Sequence, residues 1–369
     1  MDPKGGWELL RSWGARRAGS YNEPSDFYGA ARPEETDSEN AGEANKTRNW
    51  DYELSRDAWQ PLSYAEAAPM TDPCLRPGRF VDGKDVGRTV AYVLAPQGFP
   101  VPIRLSQIGA IALRALPPDV PGDGYRLRCE TRRSEKVVSF MADLFPWDEV
   151  ERFAAALHAN GFRLLISRRA TSDDDIRNFA WLNENARYRT REEMFRLERL
   201  AIKPCGSEED RVATLADGRL DDKEEAFVRD EPMIGLVKTH ANTTYLHTLG
   251  WNTLYALRPG ERTPALALDT EKLRLVTWYL RLSAGNGAGP FDGIVRVEIP
   301  RPFFEQVAKR DFGYINSLSR VLCESRSRDG GYSRSAITLY PIQRAEEVLG
   351  ACFAPPDTLT SHFYHIAGL

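Results

Sequence analysis

Gly78-Arg79-Phe80-Val81-Asp82-Gly83-Lys84-Asp85 is the stretch whose reading decides the fold. An apolar pair, Phe80-Val81, leaves a Pro- and Gly-punctuated segment and runs straight into a carboxylate and a glycine. The pair predicts the end of a buried strand. Gly83 permits either a sharp turn or a close approach to the backbone. A carboxylate at such a junction stands where a core stops and a cleft begins. Taken alone, the plainer explanation is a strand followed by an Asp-Gly turn. The balance shifts because Thr214-Leu215-Ala216-Asp217-Gly218 repeats the pattern 135 residues later. A glutamate on a core-facing stripe, Glu198, lies between the two copies.

Around this stretch, 369 residues with 42% hydrophobic content are enough for one large domain or two ordinary ones. The formal charge of −4 is unevenly spread: residues 1–70 carry 8 Lys and Arg against 13 Asp and Glu, and the remainder 41 against 40. The expected division is an acidic, partly flexible N-terminal arm over 1–70 and a body over 71–369. The near-neutral body neither excludes nor advertises a nucleic-acid surface. Five cysteines (Cys74, Cys129, Cys205, Cys323 and Cys352) are far apart and form no CxxC pair, so reduced thiols are expected rather than a zinc knuckle or a disulfide framework. No apolar run approaches the ~20 residues that span a bilayer, and Met1 to Gly6 lacks the apolar run of a signal peptide. A soluble, cytoplasmic protein is expected.

In the arm, Glu34 to Asn45 is nearly devoid of large apolar groups and is expected to be loosely draped. Trp7, Trp13, Tyr21, Phe27 and Tyr28 are anchors to a body or partner. After Asp82-Gly83, strands are expected over Thr89–Leu94 and Val101–Leu116, followed by a basic and apolar alternation over 124–145. Pro146 opens a helix closed by Gly161, and Phe162–Ser167 is a short strand. Ser172 caps a further helix whose Asp173, Asp174 and Asp175 favour the helix dipole and cannot converge on one ion. Thr190 to Glu193 reads as the capping box of the next helix. On that helix Glu198 shares a face with Met194, Phe195, Ala201 and Ile202, and a buried carboxylate needs a cation or a metal. Asp221–Asp230 is charged and exposed. Strands are expected at Val212–Ala216, Met233–Val237, Trp251–Leu257, Thr263–Leu268, Leu273–Leu282 and Ile294–Ile299, a helix after Pro302, and a last helix over Ile342–Leu349.

Strand-Asp82, helix-Glu198 and strand-Asp217 bring carboxylates from three elements of one α/β sheet toward the strand ends. Oxygen-only ligands suit Mg²⁺ or Mn²⁺. A ribonuclease-H-like mixed sheet with flanking helices and additional C-terminal strands has this plan. In that fold the three carboxylates are expected within about 4–8 Å of one another, a spacing that one or two ions can bridge.

The chain resembles the NurA family of DNA-end-processing nucleases. The resemblance is carried, in the family's order, by Phe80-Val81-Asp82-Gly83, Leu215-Ala216-Asp217-Gly218-Arg219-Leu220, Ile234-Gly235-Leu236-Val237-Lys238, Pro259-Gly260-Glu261-Arg262-Thr263, Trp278-Tyr279-Leu280-Arg281-Leu282, Gly293-Ile294-Val295-Arg296-Val297-Glu298 and Tyr340-Pro341. It implies a ribonuclease-H-like fold, Mn²⁺-dependent (or Mg²⁺-dependent) DNA cleavage, a homodimer with clefts facing a common channel, and a hexameric HerA-type ATPase as partner. It implies end processing or phage defence as the setting. Asp82 and Asp217 match the family's metal-binding aspartates. Glu198 matches the helix glutamate, with Glu192 and Glu193 as competitors, and Tyr340 matches the tyrosine near the C-terminus. Where the family has a histidine eight residues after that tyrosine, this chain has Val348. Glu346, Glu347, His362 and His365 are the substitutes on offer. Lys238, Arg262, Arg281 and Arg296 are candidates for phosphate contacts. A salt bridge, for example to Glu261 or Glu298, is the alternative for each, above all for Arg296. His240 and His247 read as polar loop residues. Two other functions fit the same pattern: a NurA-like scaffold or clamp for the ATPase ring that has lost its chemistry, and a ribonuclease-H-like enzyme acting on RNA.

Overall fold

The computed structural model describes residues 3–19, 48–72, 74–116, 126–170, 172–202, 212–220, 232–240, 246, 248–270, 272–285, 289 and 291–369. Its strands are β1 (Arg16–Arg17), β2 (Arg48–Asp51), β3 (Leu62–Ser63), β4 (Pro77–Leu94), β5 (Pro100–Leu116), β6 (Arg126–Phe140), β7 (Arg163–Ile166), β8 (Ala213–Asp217), β9 (Met233–Val237), β10 (Glu261–Arg262), β11 (Leu266–Asp269), β12 (Arg274–Arg281) and β13 (Ile294–Pro300). Its helices are α1 (Pro3–Ser12), α2 (Trp147–Ala159), α3 (Asp173–Arg177), α4 (Phe179–Ala201), α5 (Thr248–Ala256), α6 (Arg301–Gln306), α7 (Phe312–Glu324), α8 (Tyr340–Gly350) and α9 (Pro356–Ala367).

All thirteen described strands belong to one mixed sheet. β4, β5 and β6 form an antiparallel meander. β8 runs parallel to β4 on its other side, and β9 runs parallel to β8. The order β6-β5-β4-β8-β9, three antiparallel strands followed by two parallel ones, is the ribonuclease-H-like arrangement. β13, β12 and β11 extend it antiparallel, and β2 from the N-terminal segment pairs with β11 as the outermost strand.

Successive strand residues face opposite sides, and the two sides have different covers. Val81, Ala110, Ala112 and Ala216 pack with Met194, Leu197 and Ala201 of α4 and Leu254 of α5. Phe80, Leu215 and Val297 pack with Phe304 of α6, Ile315 and Leu318 of α7 and Ile342 of α8. A further cluster joins Trp7, Leu10 and Trp13 of the N-terminal segment to Phe140, Phe153 of α2 and Phe363 of α9. Within it Trp13 Nε1 donates to Glu149 Oε2 at 2.6 Å.

Several expectations are corrected. β4 does not turn at Gly83. Asp82 and Gly83 stay in the ladder opposite Ile111 and Ala110, and the expected second strand, Thr89–Leu94, is the same strand continued. Residues 251–256 form most of α5 rather than a strand, because the buried positions Gly250 and Leu254, with Leu246 before the helix and Leu257 just after it, recur every three to four residues. Thr190–Glu193 is not a cap. α4 starts at Phe179, where the Asn178 side chain accepts the N–H of Trp181. Thr190 sits inside the helix and donates to Asp85 Oδ2 at 2.5 Å. The Ser172 cap is present, reciprocated by Asp175. α7 and α9 had no counterpart in the sequence expectations. Residues 34–45 and 221–230, Cys205 and His247 lie outside the described residues.

Candidate functional site

The sheet forks beside Asp82. β4 pairs with β8 as far as Val81 opposite Ala216 and then continues beside β5, joined on its free side only by the short β1 at Ala91 and Tyr92. β8 ends at Asp217, where Gly218 adopts a φ of +100° that a side chain would resist, and the chain turns away. Asp82 follows Phe80 by two residues and Asp217 follows Leu215 by two, so both carboxylates point to the face covered by α7 and α8. From that cover α8 contributes Glu346. One carboxylate oxygen from each of Asp82, Asp217 and Glu346 lies within 4.8 Å of the others.

Three carboxylates this close repel one another. Burial, then the charges of Asp217 and Glu346, push Asp82 well above the usual carboxylate range; Lys238 pulls it down and Glu198 pushes it up. Lys238 Nζ donates to Asp217 Oδ2 at 3.0 Å and supplies one compensating charge. Asp82 Oδ2 is buried and accepts no hydrogen bond from any described residue. An orphaned carboxylate oxygen facing two more carboxylates, all of them hard donors, fits a divalent cation such as Mg²⁺ or Mn²⁺.

Glu198 reaches this region from the other face. It is 3% exposed, on α4. A Cβ on Gly83 would meet its Oε1 at 2.5 Å. Gly83 is thus required for close approach and not for a turn, and the carboxylate of Glu198 lies where the side chain of residue 83 would stand. It borders Asp82 without joining the set of three. Its competitors are otherwise engaged. Glu192 is paired with Arg168 at 2.8 Å. Burial alone would raise Glu193, but hydrogen bonds from Arg196 and Arg163 more than offset it and hold it low.

The other expected residues are scattered. Arg262 is fully buried, with Nη1 and Nη2 each 2.7 Å from a different Glu53 oxygen and Nε donating to Asn316, so its guanidinium is enclosed. Arg296 donates to Glu298 at 2.6 Å, and Glu298 in turn accepts the N–H of Leu220 in the turn after Asp217. Arg281 is half-buried at the end of β12, donating to the Asp292 carbonyl at 3.3 Å. Tyr340 stands 48% exposed at the start of α8. Val348 packs with Ile111, Leu113 and Leu349. His362 stacks on Phe162 and His365 is exposed, both on α9. Glu347 pairs with Arg344.

Glu346 is the site residue that the sequence offered only as one of four. A helical signal that was not used could have found it. It lies four residues after buried Ile342 and three before buried Leu349, at the rim of the apolar stripe of α8. Its Oε2 accepts the Tyr332 hydroxyl at 2.6 Å. Burial, and then Glu346 itself, push that hydroxyl upward, so it remains a donor.

His240, two residues beyond Lys238, is not a loop histidine in water. Its Nε2 donates to the Ile294 carbonyl at 3.1 Å, and its Nδ1 is buried without a partner among the described residues. Burial lowers its pKa from 6.5 to about 4, with the Ile294 hydrogen bond opposing and Arg296 adding. Below pH 6.5 the unfolded chain takes up a proton that the folded ring refuses. Stability is therefore fully present above pH 6.5 and falls on the way to about pH 4, by on the order of 3 kcal/mol. Urea unfolding of His240→Gln at pH 7 and pH 4.5 is expected to lose distinctly less stability between the two than the parent does; an equal loss would contradict this assignment.

No described helix is long and apolar enough to cross a membrane. No curated protein matches the chain. Residues 182–348 match the model of the NurA domain. That span holds Glu198, Asp217, Lys238 and Glu346, and Asp82 on β4 completes the cluster from outside it. The chain thus carries a stretch, residues 182–348, that is similar to the NurA domain, and the family of that domain is one of nucleases.

Proposed function

We propose that this protein is a metal-dependent deoxyribonuclease whose ion, Mn²⁺ or Mg²⁺, is held by Asp82, Asp217 and Glu346, with Glu198 beside them. The observation that carries the proposal is the orphaned, buried Asp82 oxygen set among two other carboxylates at the fork of the sheet. Bound there, the ion would supply the positive field that polarises a phosphodiester and makes a water nucleophilic at neutral pH.

The chain's own residues do the rest. The short side chains of Asp82 and Asp217 are fixed by strands, and the backbone of Glu346 is fixed by a helix, which limits the ordering left to be done on binding. Lys238 neutralises part of the Asp217 charge from inside the fold and so tunes the acid cluster rather than reaching outward. Arg281, at the end of the sheet where β9 delivers Lys238, is the one of the four expected cations that we assign to DNA. Arg262 acts in the scaffold. Phosphate contacts of this kind position a strand without reading its bases. A homodimer, a hexameric HerA-type ATPase that delivers DNA, a cytoplasmic setting and a role in end processing or phage defence belong to the same proposal and rest on the family.

The test is cleavage of labelled DNA and RNA of equal length in Mn²⁺, in Mg²⁺ and in chelator, with and without the ATPase. Metal-dependent loss of DNA is expected, with Glu346→Gln reduced on the order of 10²-fold or more. Degradation of RNA alone would favour the ribonuclease alternative, and no cleavage with retained ATPase binding would favour the scaffold.

A further inference from the structure

Glu346 sits on a helix, yet its carboxylate is oriented from elsewhere. The segment between α7 and α8 folds back on α8 through a closed chain of hydrogen bonds. Ser327 is tied on both sides: its Oγ donates to Gln343 Oε1 at 2.6 Å, and its N–H donates to the Thr338 carbonyl at 2.8 Å. Gln343 Nε2 donates to Asp329 Oδ2 at 2.9 Å. Asp329 in turn accepts the N–H of Tyr332 at its carbonyl and the N–H of Gly331 at Oδ1. Tyr332 then returns to α8, with its hydroxyl 2.6 Å from Glu346 Oε2. Gln343 and Glu346 are three residues apart on α8, so the circuit opens and closes on one helical face. Arg334 adds a charge 3.7 Å from Glu346 Oε1.

We propose that Tyr332 is a positioning residue for the metal centre: held by the Ser327–Asp329–Gln343 clamp, it fixes the rotamer of Glu346 so that this carboxylate is presented to Asp82 and Asp217. Glu346 needs such a device. Asp82 and Asp217 have short side chains on strands, whereas a glutamate on a helix has three free torsions and an exposed alternative. A hydroxyl held on Oε2 removes that freedom, and Oε1, with Arg334 3.7 Å away, is the oxygen that has no hydroxyl on it among the described residues and would be shared with an ion. Losing a hydrogen bond that orients a ligand costs roughly 10–100-fold in metal affinity. The plain alternative is that Tyr332 only fastens its own loop, in which case its hydroxyl would matter to folding and not to the ion.

The inference rests on the metal site proposed above, and the experiment separates the two. Mn²⁺ binding to the full chain is measured by calorimetry for the parent, Tyr332→Phe, Glu346→Gln and the double variant, with metal-free melting temperatures alongside. Tyr332→Phe is expected to weaken Mn²⁺ binding by about 10–100-fold with little change in metal-free melting. In the Glu346→Gln background the same change is expected to alter affinity less than about twofold, because the two residues act as one unit. Tyr332→His, which keeps a donor, is expected to retain more affinity than Tyr332→Phe. A parent that binds no Mn²⁺ overturns the metal site and this inference with it. A parent that binds, with Tyr332→Phe binding equally well, overturns this inference alone. So does an equal loss in both backgrounds, which would place the effect in the loop and not in Glu346.

Discussion

Asp82→Asn is expected to abolish DNA cleavage, by on the order of 10³-fold or more, while the metal-free protein melts at a higher temperature than the parent. Both effects have one origin. In the folded chain Asp82 is buried beside Asp217 and Glu346, which raises its pKa well above the unfolded value. A raised carboxylate gives stability that is fully present below its unfolded pKa and is lost as pH rises through the folded pKa. Above the unfolded pKa Asp82 therefore destabilises the folded parent, whether it holds its proton or carries the repulsion. Asn keeps the shape and removes the charge. That relieves the strain, and it also removes the charge that would draw an ion to the site. Cleavage assays in Mn²⁺ and calorimetric melting with and without Mn²⁺ read the two effects separately. Cleavage at parental rates would remove Asp82 from the active site and most of the case for a nuclease centred on it.

The second large effect lies far from the acids. Glu53→Ala is expected to cost about 3–5 kcal/mol, because it leaves the Arg262 guanidinium fully buried without its countercharge. Glu53 also accepts the N–H of Ala265 at 2.7 Å, so one change removes support from β10 and from the start of β11. Replacing the pair together, as Glu53→Met with Arg262→Met, is expected to recover most of the loss, since a buried ion pair and an apolar pair of similar volume are often close in energy. Urea unfolding of the two variants and the parent decides it. If Arg262 were instead a phosphate contact, Glu53→Ala would leave stability nearly unchanged.

Strands such as β8, β9 and β13 were legible because each is a largely apolar run with a glycine or proline beside it, whereas β6 alternates basic and apolar residues and was not read as a strand. Asp82 and Asp217 were legible because each terminates such a run. Glu198 was legible from its helical stripe, although the sequence did not show that it approaches from the face opposite Asp82. Gly83 was open between a turn and a close approach, and only the position of α4 decides between them. Residues 251–257 misled because aromatic and apolar residues crowd the segment, while its true helical period is visible only once Leu246 and Gly250 are known to be buried beside Leu254. The roles of the arginines were the least legible. A guanidinium after a strand looks the same on paper whether it meets a phosphate or a carboxylate. The partner of Arg262 lies 209 residues away in a segment that composition describes as an acidic arm.

That distance has a consequence for how the protein is made. β2, Glu53 and the Trp7 helix leave the ribosome first, but their partners are β11, Arg262 and Phe363, synthesised long afterwards. At roughly 5–20 residues per second, the 209 residues between Glu53 and Arg262 take on the order of ten to forty seconds to emerge. Throughout that interval the nascent chain carries a carboxylate without its cation and a strand without its neighbour, while the tryptophan-bearing helix has Phe153 but still lacks the α9 part of its cover. Contacts this distant in sequence also slow closure once translation ends. The segments made first are thus the last to be seated, and a holdase that shields the emerging N-terminus is expected to raise the yield of folded protein more than one acting on the completed chain.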